Sequence, residues 1–516
     1  MRKASRLLYF LAFIKFVLPF FLQQPVYEPH RDEFLYLAEG NHLAFGYMEV
    51  PPLLSVFAWL THLFGNGMFW IKIWPSLFGA LNLVLAGKIV LSLGGKSFSV
   101  FLLFLSFLFS ALLRVHFLFQ PNFLEIFFYT VIAFGLIRYI QTSGNKWLYL
   151  TGLGAGLGLL SKYSIAFYIL AIALALLLTQ QRKIFFNKHL YYALGITAIL
   201  FVPNVIWQYT HHFPVFFHMH ELRELQLQYV SAGSFLKDQV MMFFPCCMIW
   251  IAGLIFLLTN RTARPFLFLA WAYLAVLGIL LWFHGKNYYA LGLYPVLLAF
   301  GSYALERWTS SRFYVLRYAV ILWAIVFGSY FVSIGLPVFK PADLARFYQK
   351  MNTAKTGALR WEDHRNHALP QDFADMLGWE EMARKTGSAY NSLSDAEKKQ
   401  TLIFCDNYGM AGAVNFYRKK YQLPEAYSDN ASFLYWLPGN YPMKNLVLIT
   451  NDTAEMHHDF IRDFSSALLY DSITNPYAVE KGDLIIVLKG ADDRFRKMFE
   501  EKILRDKSTI DKQRDN

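Results

Sequence analysis

Three carboxylates bracket one short stretch, His30 to Leu54, HRDEFLYLAEGNHLAFGYMEVPPLL: Asp32 and Glu33 lie side by side near its start, and Glu49 stands just before Pro51-Pro52. A carboxylate next to an attacking hydroxyl or amine can take its proton, and two carboxylates can divide the roles of base and orienter or hold a cation between them. Asp32 follows an apolar run closely, where burial beside lipid would raise its pKa into a useful range for a base. Glu49 sits at the far end of a connection that the Pro-Pro step turns back, so both ends of the stretch can face one site. Glu33 reads more simply as a solvated neighbour and stays in the set as a third catalytic candidate. The bland account of all three is a solvated loop between apolar segments.

Cations that could meet a phosphate lie elsewhere in the chain. Lys162 in SKY and Lys286 in HGKNYY are isolated between apolar runs, and an ammonium at such a depth seeks an anion, of which lipid phosphates are the commonest in a membrane. Arg31 and Arg114 add two further cations of the same kind. Tyr288 and Tyr289 fit either a substrate contact or the aromatic belt that anchors spans at the interface. Tyr47, His116, Asn122 and His212 complete the candidate substrate-binding set. The segment HHFPVFFHMHEL is rich in His, but its spacing does not match HExxH, so no metal ligands are assigned; a divalent cation between the carboxylates is the only cofactor left in view.

The elements that must position these residues are mostly membrane helices. Of 516 residues 56% are hydrophobic and only 16% charged, with 50 Phe and 31 Tyr, the composition of a polytopic membrane protein. A helix needs ~20 apolar residues to cross a ~30 Å hydrocarbon core. Runs of that kind fall near 7–23, 69–93, 98–114, 123–140, 147–161, 164–180, 189–207, 239–258, 265–283, 288–305 and 314–336, about eleven spans. The shorter run 53–64 reads as an amphipathic helix in the interface. The formal charge of +12 concentrates before Pro341, in loops that alternate along the array, which marks topology rather than nucleic-acid binding. With a cytoplasmic N-terminus, every inner loop is basic, and the carboxylates and candidate cations fall on the outer face. The chain then divides into a transmembrane domain over 1–336, with its first outer loop over 24–68, and an outer domain over 337–516. LIFCDN, NLVLIT and DLIIVLKG read as strands, and 373–390, 409–421 and 492–506 as helices, giving the tail a small α/β fold. Its GMAG segment invites a nucleotide-binding reading, but helix packing is the simpler use of those glycines. Three cysteines, two of them adjacent, exclude a disulfide framework.

The order of motifs resembles the polyprenyl-phosphate-sugar-dependent glycosyltransferases of the GT-C class, in the protein-mannosyltransferase and aminoarabinose-transferase superfamily (glycosyltransferase family 39-like). The matching stretches include DEFLYLAEGNHLAFGYMEVPPL, FLFQPNFLEIFFYTVIAFGLIRY, GLGAGLGLLSKYS, PNVIWQYTHHFPVFFH, GKNYYALGLYPVLLAFGSYALE and, in the tail, CDNYGMAGAVNFYRKKYQLP. The resemblance implies an inverting transfer of a sugar from a polyprenyl-phosphate donor to a lipid, glycan or protein acceptor at the outer face of a bacterial cytoplasmic membrane. It implies Asp32 as general base, Glu49 as the acid before Pro-Pro, and the outer lysines as phosphate contacts. Two departures stand out. Many relatives carry an acid after the proline of the second outer loop, where this chain has Pro121-Asn122, which puts a second acid there in doubt. The aminoarabinose-type relatives carry Lys before Pro-Pro, where this chain has Val50, which argues against that substrate. Two other classes stay open: a transporter of lipid-linked sugars, which should show polar residues at the bilayer midplane, and a binder without catalysis, which should tolerate neutral substitution of the acidic loop.

Overall fold

The computed structural model describes residues 2–311, 313–439 and 443–512. Among them, seven helices are long and apolar enough to cross a membrane: Arg2–Phe21, Met68–Ser92, Asn122–Thr142, Lys188–Thr210, Arg261–Trp282, Asn287–Trp308 and Val315–Gly335. Two more spans arise if each bent pair counts as one, Ile165–Leu177 with Gln180–Phe186 at 107° and Ala232–Met241 with Phe244–Thr259 at 63°. The chain is therefore an integral membrane protein, but the expected count of about eleven is not reached. The run 98–114 breaks at Phe109-Ser110 into the helices Ser97–Leu108 and Ala111–Val115, and the run 147–161 gives the 14-residue helix Lys146–Leu159. At 1.5 Å per residue that helix is about 21 Å long, short of the hydrocarbon thickness.

The stretch carrying the carboxylates folds into a helix, Arg31–Glu39, whose start is fixed by a reciprocal cap. The His30 side chain accepts from the Asp32 backbone N–H, and the Glu33 carboxylate accepts from the His30 N–H at 2.7 Å. At its other end Gly40 passes against Ala58 and Trp59, where an added Cβ would come within 2.7 Å of both. Pro52 then starts the helix Leu53–Leu63, the element expected at the interface, and the Leu53 N–H donates to the Leu160 carbonyl. Chain geometry thus returns the loop to the membrane domain, as the Pro-Pro step required.

The tail contains a five-stranded sheet in the order β2-β1-β3-β5-β4, built from β1 (Thr401–Cys405), β2 (Ala426–Tyr427), β3 (Asn445–Thr450), β4 (Phe464–Ser472) and β5 (Leu484–Ala491). β1, β2 and β3 run parallel, and β5 is antiparallel to its neighbours β3 and β4. The three strands read from sequence are present. β2, only two residues long, and β4, an edge strand with one buried residue, lack the buried apolar run that marked the others. The helical segment read at 373–390 is broken: the short helix Gln371–Ala374 ends at Asp375, and Gly378, with a φ of 90°, precedes the helix Trp379–Asn391.

The tail does not stand apart from the first loop. Phe34, Leu35 and Ala38 of the loop helix share a buried cluster with Trp379, Met410 and Val414 of the tail. The tail helix Tyr408–Tyr421 crosses the loop helix closely: a Cβ on Gly412 would lie 2.8 Å from the Phe34 Cβ, and one on Gly409 2.6 Å from the Arg31 Cγ. The glycines of GMAG serve helix packing. Gly412→Val should therefore overpack this seam and lower stability by about 1–3 kcal/mol, read as earlier thermal unfolding and faster proteolysis of the tail. Unchanged melting and proteolysis would show that the seam is not close-packed.

Candidate active site

A cavity of about 1140 Å³ opens between the loop helix, one end of the membrane helices and the tail. Asp32, Glu49, Lys162, Lys286, Tyr288 and Tyr289 all line it, with Arg31, Arg114 and Asn122. Residues as distant in sequence as 32 and 289 meet there because the loop helix, the break at Ser161-Lys162-Tyr163 and the start of the helical stretch at Asn287 lie at one level of the helix array.

Asp32 stands in the first turn of the loop helix with its side chain 31% exposed. Its Oδ1 accepts from the Tyr408 hydroxyl at 2.8 Å and its Oδ2 from the Gln120 amide at 3.2 Å. Burial pushes its pKa up, but the charges of His30 and Arg31, the Tyr408 hydrogen bond and the Lys286 charge outweigh burial and hold it below the ordinary aspartate value. This corrects the expectation of a raised pKa: the carboxylate is kept as the anion, ready to accept a proton. Glu49 lines the same cavity from the other end of the loop and is gripped by the tail. Its two oxygens accept from the Ser432 N–H and hydroxyl, both at 2.6 Å. Burial nevertheless raises its pKa, against the Ser432 hydrogen bonds.

Glu33 is neither solvated nor in the cavity. One position along a helix turns a side chain by about 100°, and Glu33 points inward, fully buried. There it lies 3.5 Å from the Lys72 Nζ and accepts from the backbone N–H groups of Phe119 and His30 at 2.6 and 2.7 Å. Its acceptor capacity is taken up by the fold, so its place in the catalytic set is withdrawn.

The cations differ in how far they are neutralised. Lys162 donates to Asn122 at 2.6 Å, lies 3.2 Å from a Glu125 oxygen and sits 4.3 Å from the centre of the Tyr289 ring. Arg31 lies 3.8 Å from both Glu362 and Asp375, and Arg114 lies 3.1 Å from Asp372 while donating to the Gly335 carbonyl at 2.8 Å. Lys286, among the described residues, has no carboxylate within 4 Å, and its Nζ lies 5.9 Å from the centre of the Tyr288 ring.

Three expected substrate contacts lie outside the cavity lining. Tyr47 is buried and its hydroxyl ties the loop together, donating to the Glu39 and His42 carbonyls at 3.1 Å. His116 is fully buried, packed on Gly79 and parallel to the Phe107 ring. His212 takes a left-handed backbone, φ 60°, in the exposed turn after the helix Lys188–Thr210. Four residues outside the candidate site set do shape the site. Glu125, one turn after Asn122, supplies the carboxylate beside Lys162; an acid inside an apolar helix was the available signal. Gln120 and Tyr408 bind Asp32, and Ser432 binds Glu49. Tyr408 follows β1 at the carboxyl end of a parallel strand, the edge where α/β sheets place their sites.

Comparison with known proteins supports this reading of the fold. Residues 49–207 match the family described as dolichyl-phosphate-mannose-protein mannosyltransferase. A curated relative, the lipid A galacturonosyltransferase RgtD of Rhizobium johnstonii, is 27% identical over 190 residues, which are 35% of this chain and 38% of that protein. Two crystal structures of ArnT from Cupriavidus metallidurans, one bound to undecaprenyl phosphate and one in the apo state, superpose with TM-scores of 0.62 and 0.59 at 12% identity. Each covers 93% of this chain and 97% of the other.

The buried Glu33–Lys72 pair gives a direct check on the withdrawn role. Glu33→Leu alone should destabilise the protein by about 3–5 kcal/mol because it leaves a buried ammonium unpaired, and adding Lys72→Met should recover part of that loss. Denaturation of the purified protein in detergent measures both; a Glu33→Leu protein as stable as wild type would contradict the pairing.

Proposed function

We propose that the chain, which shares the fold of the ArnT structures, is a glycosyltransferase of the GT-C class that transfers a sugar from a polyprenyl-phosphate donor to a hydroxyl-bearing acceptor at the outer face of the membrane. The observation that carries this reading is the presence in one cavity of Asp32, held as an anion, and Lys286, which has no carboxylate within 4 Å among the described residues. The lining of that cavity includes the apolar side chains Leu108, Leu113, Met241, Met242 and Phe331, which suit a polyprenyl chain. The lipid named in the ArnT structure and the lipid A substrate of the galacturonosyltransferase support the same class of donor and acceptor.

In this reading the acceptor hydroxyl gives its proton to Asp32 while its oxygen attacks the anomeric carbon from the side opposite the phosphate. The bond from that carbon to the phosphate oxygen breaks, its electron pair leaves on the phosphate, and the anomeric configuration inverts. Lys286 stabilises the charge that grows on the leaving phosphate. Lys162, Arg31 and Arg114, each with an acidic partner, set the position of the headgroup more than they add charge. Glu49, tied to Ser432, orients the acceptor, and Asn122, Tyr288 and Tyr289 form the walls against which the sugar rests.

Incubating the purified protein in detergent with radiolabelled polyprenyl-phosphate sugars of several kinds, with a membrane lipid extract as acceptor, tests this. Label should leave the polyprenyl lipid for at least one donor, and Asp32→Asn should slow that transfer by about 10²–10⁴-fold while the protein folds and inserts normally. Transfer by Asp32→Asn at the wild-type rate would remove Asp32 as base. Donor that is bound and moved across vesicles with no bond cleavage would favour a transporter instead.

A further inference from the structure

The carboxylate assigned as base is shaped by a residue of the tail domain, 376 positions away in the chain. The Tyr408 hydroxyl donates to Asp32 Oδ1 at 2.8 Å, the shorter of the two side-chain hydrogen bonds Asp32 accepts among the described residues. The other donor, Gln120, stands at 3.2 Å and its own oxygen is shared with Asn122 at 3.4 Å.

The fold fixes Tyr408 from several sides. It is the first residue of the tail helix, placed there by the Asn407 cap, whose side chain accepts from the Met410 N–H at 3.0 Å. Its own N–H donates to the Asn430 side chain at 3.4 Å, and the Arg31 guanidinium lies 5.9 Å from its ring centre. The absence of a side chain at Gly409 leaves room for that arginine. Burial and the facing Asp32 charge push the Tyr408 hydroxyl well above its ordinary pKa, so it keeps its proton and acts as a donor.

We propose that Tyr408 is a positioning residue for Asp32: its hydrogen bond fixes the orientation of the carboxylate and favours its charged form, so the tail domain completes the reaction centre. This rests on Asp32 being the base. A tail that merely covered the cavity would not need to place a hydroxyl donor on that one carboxylate.

The groups facing Asp32 set the sign of the pH effect. His30 and Arg31 on its own helix, Lys286 from the membrane domain and the Tyr408 hydroxyl all favour the anion. Asp372 and Asp375 of the tail oppose it, and Tyr36 and Tyr288 also feel its charge. Removing the Tyr408 hydroxyl takes away one hydrogen bond that favours the Asp32 anion. The pKa must rise, and the anionic base is then lost at a higher pH as the solution is acidified.

The test is pH-difference infrared spectroscopy of the full-length protein in detergent, with aspartate carboxyls labelled with carbon-13 and the Asp32 band assigned by its loss in Asp32→Asn. The midpoint of that band should move to higher pH in Tyr408→Phe, with the melting temperature close to that of wild type. An unmoved midpoint in a folded Tyr408→Phe protein would overturn the proposal. Should that variant fail to fold, wild-type protein labelled at the tyrosine ring carbon bearing the hydroxyl gives the same answer: one phenol band must shift over the pH interval in which Asp32 titrates, and no co-titrating band overturns the assignment. In the transfer assay, the acid limb of kcat/KM should move with the band rather than the whole profile falling. The infrared readout needs no substrate, so a failure of the proposed transfer reaction would be seen separately from a failure of the hydrogen bond.

Discussion

The seam between the loop helix Arg31–Glu39 and the tail helix Tyr408–Tyr421 is the contact on which the rest of the site depends. Two glycines on the tail helix let its backbone approach Arg31 and Phe34 more closely than any side chain would permit, and the apolar face of the loop helix is buried in the tail's core. A nine-residue helix has little stability of its own. Docking gives it a fixed orientation, so that Phe34 and Glu33 turn inward while Asp32 is left facing the cavity. The two ends of the acidic loop are held by the same domain, through Tyr408 at one end and Ser432 at the other.

Charge is distributed around the cavity with a consistent pattern. Lys162, Arg31 and Arg114 each have an acid within 4 Å, so these cations are compensated where water is scarce and an isolated charge would be costly. Lys286 lacks such a partner among the described residues and shares the cavity with Asp32. A leaving phosphate needs net positive charge already in place, because in a water-poor site fixed charges act more strongly than they do in solution. Among the described residues, the arrangement thus places in one cavity a lysine with no carboxylate within 4 Å and an aspartate held as the anion.

Much of the fold was legible in the sequence, since hydropathy and periodicity act locally. The long spans, the break at Ser161-Lys162-Tyr163, the return at Pro51-Pro52 and three strands of the tail all follow from segment composition. The convergence of Asp32, Glu49, Lys162 and Lys286 on one level followed from the topology. What could not be read was the choice of tertiary partner. Asp32 and Glu33 are adjacent, and only the docking of their helix decides that one faces the cavity and the other meets Lys72. Asn122 seemed to remove an acid from the second loop, yet Glu125 restores a carboxylate one helical turn later. Tyr47 and His116 looked available because sequence shows residue type without packing. Tyr408 and Ser432 lie in a tail segment whose relation to the first loop has no local signal at all.

The central claim is a single displacement at the anomeric carbon, with Asp32 taking the acceptor's proton and no sugar bound covalently to the protein on the way. The anomeric configuration of the product, read by NMR from a donor of known configuration, tests it most directly. The account predicts inversion; a product that retains the donor's configuration would contradict it, because retention requires two displacements with the sugar bound to the protein between them.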